Sequence, residues 1–216
     1  MGAIFRREVR SYFTSPIGYI FLAAFYAYSG VMFANYSLES GYTRLDSVFS
    51  ALLIIIIVLI PVLTMRTISE EKRTKTDQCL LTAPVGLGSI VVGKFLAAFL
   101  IYIIAIAITG VFAVVVSAFG TPDWNVVVGN IVALALVGGA YIAIGIFCSS
   151  FTENQIVAAV ISFIALIFVS FLSTIGNLLP FEWLTTVCEK VSFGERYYSF
   201  TSVSYTHLRA HETGRN

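Results

Sequence analysis

Charge is scarce in this chain, and its absence shapes the reading. Asp, Glu, Lys and Arg make up only 12% of the 216 residues, about half the share of a soluble domain, while 58% are hydrophobic. With a mean hydropathy of +0.89, the chain reads as a bilayer protein. The formal net charge is +1, so no basic field is available for a nucleic-acid partner. Cysteine is sparse too. Cys79, Cys148 and Cys188 form no CxxC pair and have no histidine beside them, which argues against a thiolate metal centre and leaves them as packing residues. Histidine is confined to His207 and His211 near the C-terminus.

Long uncharged runs take the place of charge. A helix rises about 1.5 Å per residue, so crossing a hydrocarbon core of about 30 Å takes roughly 20 apolar residues. Segments at Ile17 to Phe33, Val48 to Met65, Phe95 to Ser117, Val126 to Cys148 and Ile156 to Ile175 meet that length, and none contains Asp, Glu, Lys, Arg or His. No alternation of period two is present, so the expected class is all-α: a polytopic helical membrane protein with five transmembrane helices. Spans without carboxylate or histidine offer neither a proton relay nor an intramembrane hydrolase centre. A sodium-coupled secondary transporter using backbone carbonyls stays open, as does a non-transporting membrane scaffold. Gly129, Gly138, Gly139 and Gly145 read as points of close approach between helices.

The charge that exists is segregated. Arg6, Arg7 and Arg10 precede the first span; Arg66, Lys72, Arg73, Lys75 and Lys94 lie between the second and third; Arg44 stands alone after the first, and Gly120 to Asn125 has no cation. The positive-inside rule therefore places the N-terminus and the second loop in the cytoplasm. Within MGAIFRREVRSYFTSP, the residues Phe5, Val9, Tyr12 and Phe13 share one helical side and the arginines another, ahead of Pro16. This is the pattern of an interfacial helix, with Arg6, Arg7 and Arg10 as anchors in the lipid headgroups; it fits better than a signal peptide, whose apolar run is shorter. Lys94 is expected to snorkel to the same layer.

The densest charge lies in ISEEKRTKTDQCLLTAP, Ile68 to Pro84. Thr67 and Glu70 have capping-box spacing, and Cys79, Leu80 and Leu81 follow the charges before Pro84 stops the helix. Such a stretch is either a solvated connector or an amphipathic helix with something cytosolic to dock against. Nearby, GSIVVGKF, Gly88 to Phe95, almost spells a phosphate-binding loop, but Phe95 replaces the magnesium-holding hydroxyl and no strand precedes it.

From Thr67 to Phe99 the sequence resembles the membrane subunits of type-2 ABC exporters, the ABC-2 family. The shared elements are the acidic pair Glu70 and Glu71, the basic Lys72 and Arg73, the leucines Leu80 and Leu81, the turn at Ala83 and Pro84, and Gly93 with Lys94 entering the third span. Ser149 to Phe163, SSFTENQIVAAVISF, is similar to the family's cytoplasmic turn between spans four and five, and the subgroup most resembled is the gliding-motility-associated permeases. The resemblance implies an exporter permease of the bacterial inner membrane. It would be coupled through Glu70, Glu71, Lys72, Arg73, Leu80 and Leu81 to a separate ATPase subunit that binds ATP and Mg, and paired with a second permease subunit as a homo- or heterodimer. No cofactor is expected in this chain. Lys75 departs from the pattern, standing where the family commonly has glycine.

After the fifth span, Trp183, Tyr197 and Tyr198 suit an aromatic belt at the outer interface. Val203 to Thr213, VSYTHLRAHET, matches one reading frame of a transposase library adapter residue for residue. Residues 202–216 are therefore expected to be a non-native tail, and 1–201 a transmembrane domain lacking the family's sixth span through truncation.

Overall fold

The computed structural model describes residues 2–38, 45–76, 86–118 and 124–171, and among them every regular element is helical. They are α1 (Gly2–Thr14), α2 (Pro16–Phe33, continued by a π-helical turn, Ala34–Leu38), α3 (Asp46–Thr64), α4 (Ser69–Arg73), α5 (Leu87–Ser117), α6 (Trp124–Ser149) and α7 (Gln155–Ser170). Four segments are long and apolar enough to cross a membrane: Pro16–Ser37, Ser47–Arg73, Gly88–Ser117 and Trp124–Ser149. The fifth, Gln155–Ser170, is shorter, and the rest of that expected span lies outside the described residues, as do the aromatic stretch after it and the C-terminal tail. The chain is a multi-pass helical membrane protein.

Local chemistry sets the helix boundaries at the polar end. Ser15 caps α2, its Oγ accepting from the Ile17 amide at 3.4 Å, and Pro16 occupies the first turn, where its missing N–H costs nothing. Asn154 caps α7 in the same way, Oδ1 accepting from Ile156 N at 3.0 Å. α5 begins at Leu87, well before the expected start at Phe95, and its 31 residues are about 46 Å long at helical rise, more than the hydrocarbon core requires. Its first turns therefore extend past the core. The near phosphate-loop Gly88 to Phe95 is plain helix.

Packing closes α2, α3, α6 and α5 into a ring of neighbours, with α7 against α3 and α6, and α1 across the ends of α5 and α2. α3 is the central post, burying Phe49, Leu52, Ile56, Ile60 and Leu63. α7 buries only Ala158, Ser162 and Leu166, a single stripe at four-residue spacing, which marks it as peripheral. Two of the expected close-packing glycines decide how α6 lies. A Cβ on Gly145 would come 2.3 Å from Thr64 Oγ1 of α3, and one on Gly138 would come 2.2 Å from the Tyr102 ring of α5. Gly139 is looser, facing Phe99 at 3.2 Å. α6 thus approaches both neighbours through positions where any side chain would collide.

Candidate functional site

Every Lys and Arg among the described residues stands at one end of the bundle, on α1, on α4 and its flanks, or in the first turns of α5. There α1, the α3–α4 junction, α5 and the α6–α7 turn converge. α1 lies on α5 with Gly93 at the contact, where a Cβ would be 3.1 Å from the Ile4 methyl, tight by a few tenths of an ångström. One turn beyond Ile4, Glu8 is consequently brought to Lys94.

Lys94 is only 2% exposed. Its ammonium donates to Glu71 Oε1 at 2.8 Å, to the Thr67 carbonyl at 2.7 Å and to Glu8 Oε1 at 3.4 Å. The Arg7 Nη2 donates to the same two carboxylates at 2.7 Å each. Two cations and two anions from α1, α4 and α5 thus form one network in which Lys94, Glu8 and Glu71 lie at low exposure, where a charge needs partners to remain charged, while Arg7 stands at its exposed edge. The Glu8 hydrogen bond raises the pKa of the Arg7 guanidinium above its ordinary value. Lys94 was expected to snorkel to the headgroups; here its amine turns inward onto two carboxylates and a carbonyl, which compensate its burial.

A second bridge joins α3 to α4. Arg66 grips Glu70 with both arms, Nε to Oε2 at 2.5 Å and Nη2 to Oε1 at 2.7 Å, while its Nη1 donates to Ser15 Oγ at 2.6 Å. Tyr12 donates its hydroxyl to the Leu63 carbonyl at 3.2 Å and meets Thr67 Oγ1 at 3.3 Å. Burial pushes the Tyr12 phenol up to about 12, so it remains a donor across the physiological range.

The capping box expected from Thr67 and Glu70 does not form. Thr67 faces Tyr12, Glu70 is held by Arg66, and the α4 N-cap residue is Ile68. Ser149 fills the role from a distance: its Oγ accepts from Ile68 N and Ser69 N, each at 3.2 Å, and donates to Met65 O at 3.2 Å. Next to it, the Lys72 ammonium bonds the Ser150 carbonyl. α4 is therefore pinned at its start and along one side by the α6–α7 turn.

α4 ends sooner than the expected run to Leu81. Thr76 N donates to Glu71 O at 3.0 Å and Lys75 N to Lys72 O at 3.1 Å, the paired bonds of a Schellman turn, and Lys75 adopts the left-handed φ of 53° that this turn requires. That is the position where the resemblance led to an expectation of glycine. Lysine there carries a backbone cost of about 1 kcal/mol that glycine avoids. Lys75→Gly is accordingly expected to raise hydrogen-exchange protection of the Lys75 and Thr76 amides about fivefold.

Of the residues expected to face an ATPase, Glu70, Glu71 and Lys72 are engaged within the chain and Arg73 is exposed; Leu80 and Leu81 lie outside the described residues. The expected anchors Arg6, Arg7 and Arg10 are all exposed, and Arg7 also joins the network. Sequence reasoning passed over Glu8 and Ser149. Glu8 was detectable as an acid inside the half-buried stripe of Ile4, Phe5, Val9 and Tyr12; Phe13, expected on that stripe, is 39% exposed instead. Ser149 opens the stretch likened to the family's cytoplasmic turn, but nothing in the sequence marked its hydroxyl as a cap for α4.

Among the described residues no group of three or more His, Cys, Asp or Glu could hold a metal ion, and every buried side-chain polar atom has a hydrogen-bond partner. The polar residues line a cavity of about 350 Å³ whose wall carries Arg7, Arg66 and Lys94 against Glu8, Glu70 and Glu71, each bonded to at least one of the others. Residues 3–190 match the model of the family described as ABC-2 family transporter protein. No curated protein and no solved structure matches the chain.

Proposed function

The chain belongs to the ABC-2 transporter family, and on that premise we propose that it is the permease subunit of an ATP-driven exporter, coupled to its ATPase through α4 and the residues after it. ATP and Mg are bound and hydrolysed on the partner, and this chain supplies the membrane path. The permease works beside a second permease subunit, identical or homologous, in the inner membrane of a bacterium, with α1 and α4 on the cytoplasmic side. The segregation of described cations at one end supports that orientation. Resemblance to gliding-motility-associated permeases is the ground for assigning the exporter to that subgroup.

One observation carries the coupling reading. α4 lies outside the apolar core, yet is tied by side chains to the elements that meet it at this end: to α1 through Arg7, to α3 through Arg66, to α5 through Lys94 and to the α6–α7 turn through Ser149. A force applied to α4 is transmitted to the ends of several spans together, as coupling to a distant hydrolysis step requires. Glu70 and Glu71 serve in this reading as the inner fastenings of the handle.

The test is co-expression with the ATPase of the same transporter and reconstitution in proteoliposomes. The expected result is stable co-purification and a several-fold rise in ATP hydrolysis. An ATPase that neither co-purifies nor responds would leave the chain a scaffold or a secondary carrier.

A further inference from the structure

α1 lines two cavities of opposite character. One is the charged cavity it shares with α4; the other is a groove of about 530 Å³ between α1 and α5 with no polar side chain in its wall. Gly93, Leu96, Leu100 and Ile103 give the groove one face of α5, and Gly2 with Phe5 of α1 covers its polar end. It is an apolar slot under an amphipathic lid.

Dimensions select what can enter. From Gly93, next to the buried Lys94, to Ile103 the groove follows ten residues of helix, about 15 Å. That is half of a hydrocarbon core of about 30 Å, the depth of one leaflet. A helix about 10 Å wide laid along the same length would need about 1,200 Å³, so a span from a second copy would lie over the groove rather than in it. A single acyl chain enters.

Charge at the mouth selects the headgroup. Arg6 stands four residues after Gly2 and Arg10 four after Arg6, so the three are neighbours along one face of α1. Both arginines are exposed, and among the described residues neither is in an ion pair. The acid of α1, Glu8, is turned to Arg7 and Lys94 on another face. The mouth therefore offers cations to a phosphate and no carboxylate to a headgroup amine.

We propose that this groove is a specific site for an anionic phospholipid, one acyl chain lying between α1 and α5 and the phosphate held by Arg6, with Arg10 adding to the field. The site goes beyond the coupling reading and does not rest on it.

The experiment is native mass spectrometry of the full chain purified in detergent and titrated with phosphatidylglycerol or with phosphatidylcholine. One phosphatidylglycerol per chain is expected to be held about tenfold more tightly than phosphatidylcholine, the preference that two surface arginines supply. Leu96→Trp, which fills the groove, should abolish retention of both lipids, whereas Ile164→Trp, on the exposed face of α7, should change neither. Arg6→Gln with Arg10→Gln should erase the preference and leave phosphatidylcholine binding as it was. If Leu96→Trp alters the chain's elution profile, Phe5→Ala carries the groove test, since loss of the covering ring should weaken both lipids alike. Equal affinity of wild type for the two lipids, or equal losses from Leu96→Trp and Ile164→Trp, would mean ordinary boundary lipid and overturn the proposal. A lipid-free dimer that Leu96→Trp dissociates would give this face to a second copy and overturn it as well.

Discussion

Lys94→Met is expected to destabilise the chain by about 3 kcal/mol, measured as loss of thermal stability in detergent. Methionine keeps the aliphatic stem and removes only the ammonium, so the effect reports charge rather than a cavity. The choice lies between the near-zero value of an exposed ion pair and the 3–5 kcal/mol typical of removing one partner from a buried pair. Exposure decides it. The Lys94 side chain is 2% exposed, and those of Glu8 and Glu71 are 13% and 18%. Without the ammonium, the two carboxylates share only Arg7, itself 53% exposed, and the Thr67 carbonyl loses its donor. Adding Glu71→Gln should recover about 1–2 kcal/mol, because the partner left uncompensated is itself neutralised. A loss under about 0.5 kcal/mol for Lys94→Met would mean that water or headgroups reach the site and the network is not a fastening.

Gly138→Ala should cost about 3 kcal/mol, through a different mechanism. The added methyl would sit 2.2 Å from the Tyr102 ring and 2.4 Å from its hydroxyl, far inside contact distance. Tyr102 has no room to yield: it is fully buried, and its hydroxyl donates to the Leu134 carbonyl at 2.7 Å. Either α5 and α6 separate, losing packing along their whole contact, or the ring rotates and loses its bond; overpacking of this kind costs about 1–3 kcal/mol, and the broken bond adds about 1. Gly139→Ala is the internal control. Its methyl would meet Phe99 at 3.2 Å, a contact that a few tenths of an ångström relieve, so its loss should be well under half as large. Tyr102→Leu combined with Gly138→Ala should recover part of the deficit. Equal effects at 138 and 139 would show that helix propensity, rather than the Tyr102 seat, governs both.

The sequence was most legible where a property is local or cumulative. Apolar length alone located the crossing helices, since inserting a charge into hydrocarbon is costly at any position in the run. The N-terminal helix was legible from its periodicity, and Ser15 with Pro16 marked the start of α2, because capping depends on neighbours in the chain. Gly138 and Gly145 could be recognised as approach points, but not what approaches them. The capping box failed for the same reason. Thr67 and Glu70 had the right spacing, yet Tyr12 and Arg66, distant in sequence, bound them first, and Ser149 took over the amides.

What the sequence by itself determined is therefore the solvent of each segment: which stretches enter lipid, which stay at the polar end, and that all of them are helical, because backbone amides in hydrocarbon must be satisfied within their own helix. Only the tertiary structure decided which charges cancel. That Lys94 is buried against Glu8 and Glu71 while Arg73 and Lys75 face outward follows from α1 packing on α5 and from the α6–α7 turn pinning α4. Pairing is a matter of distances between residues far apart in the chain, and those distances exist only once the helices have packed.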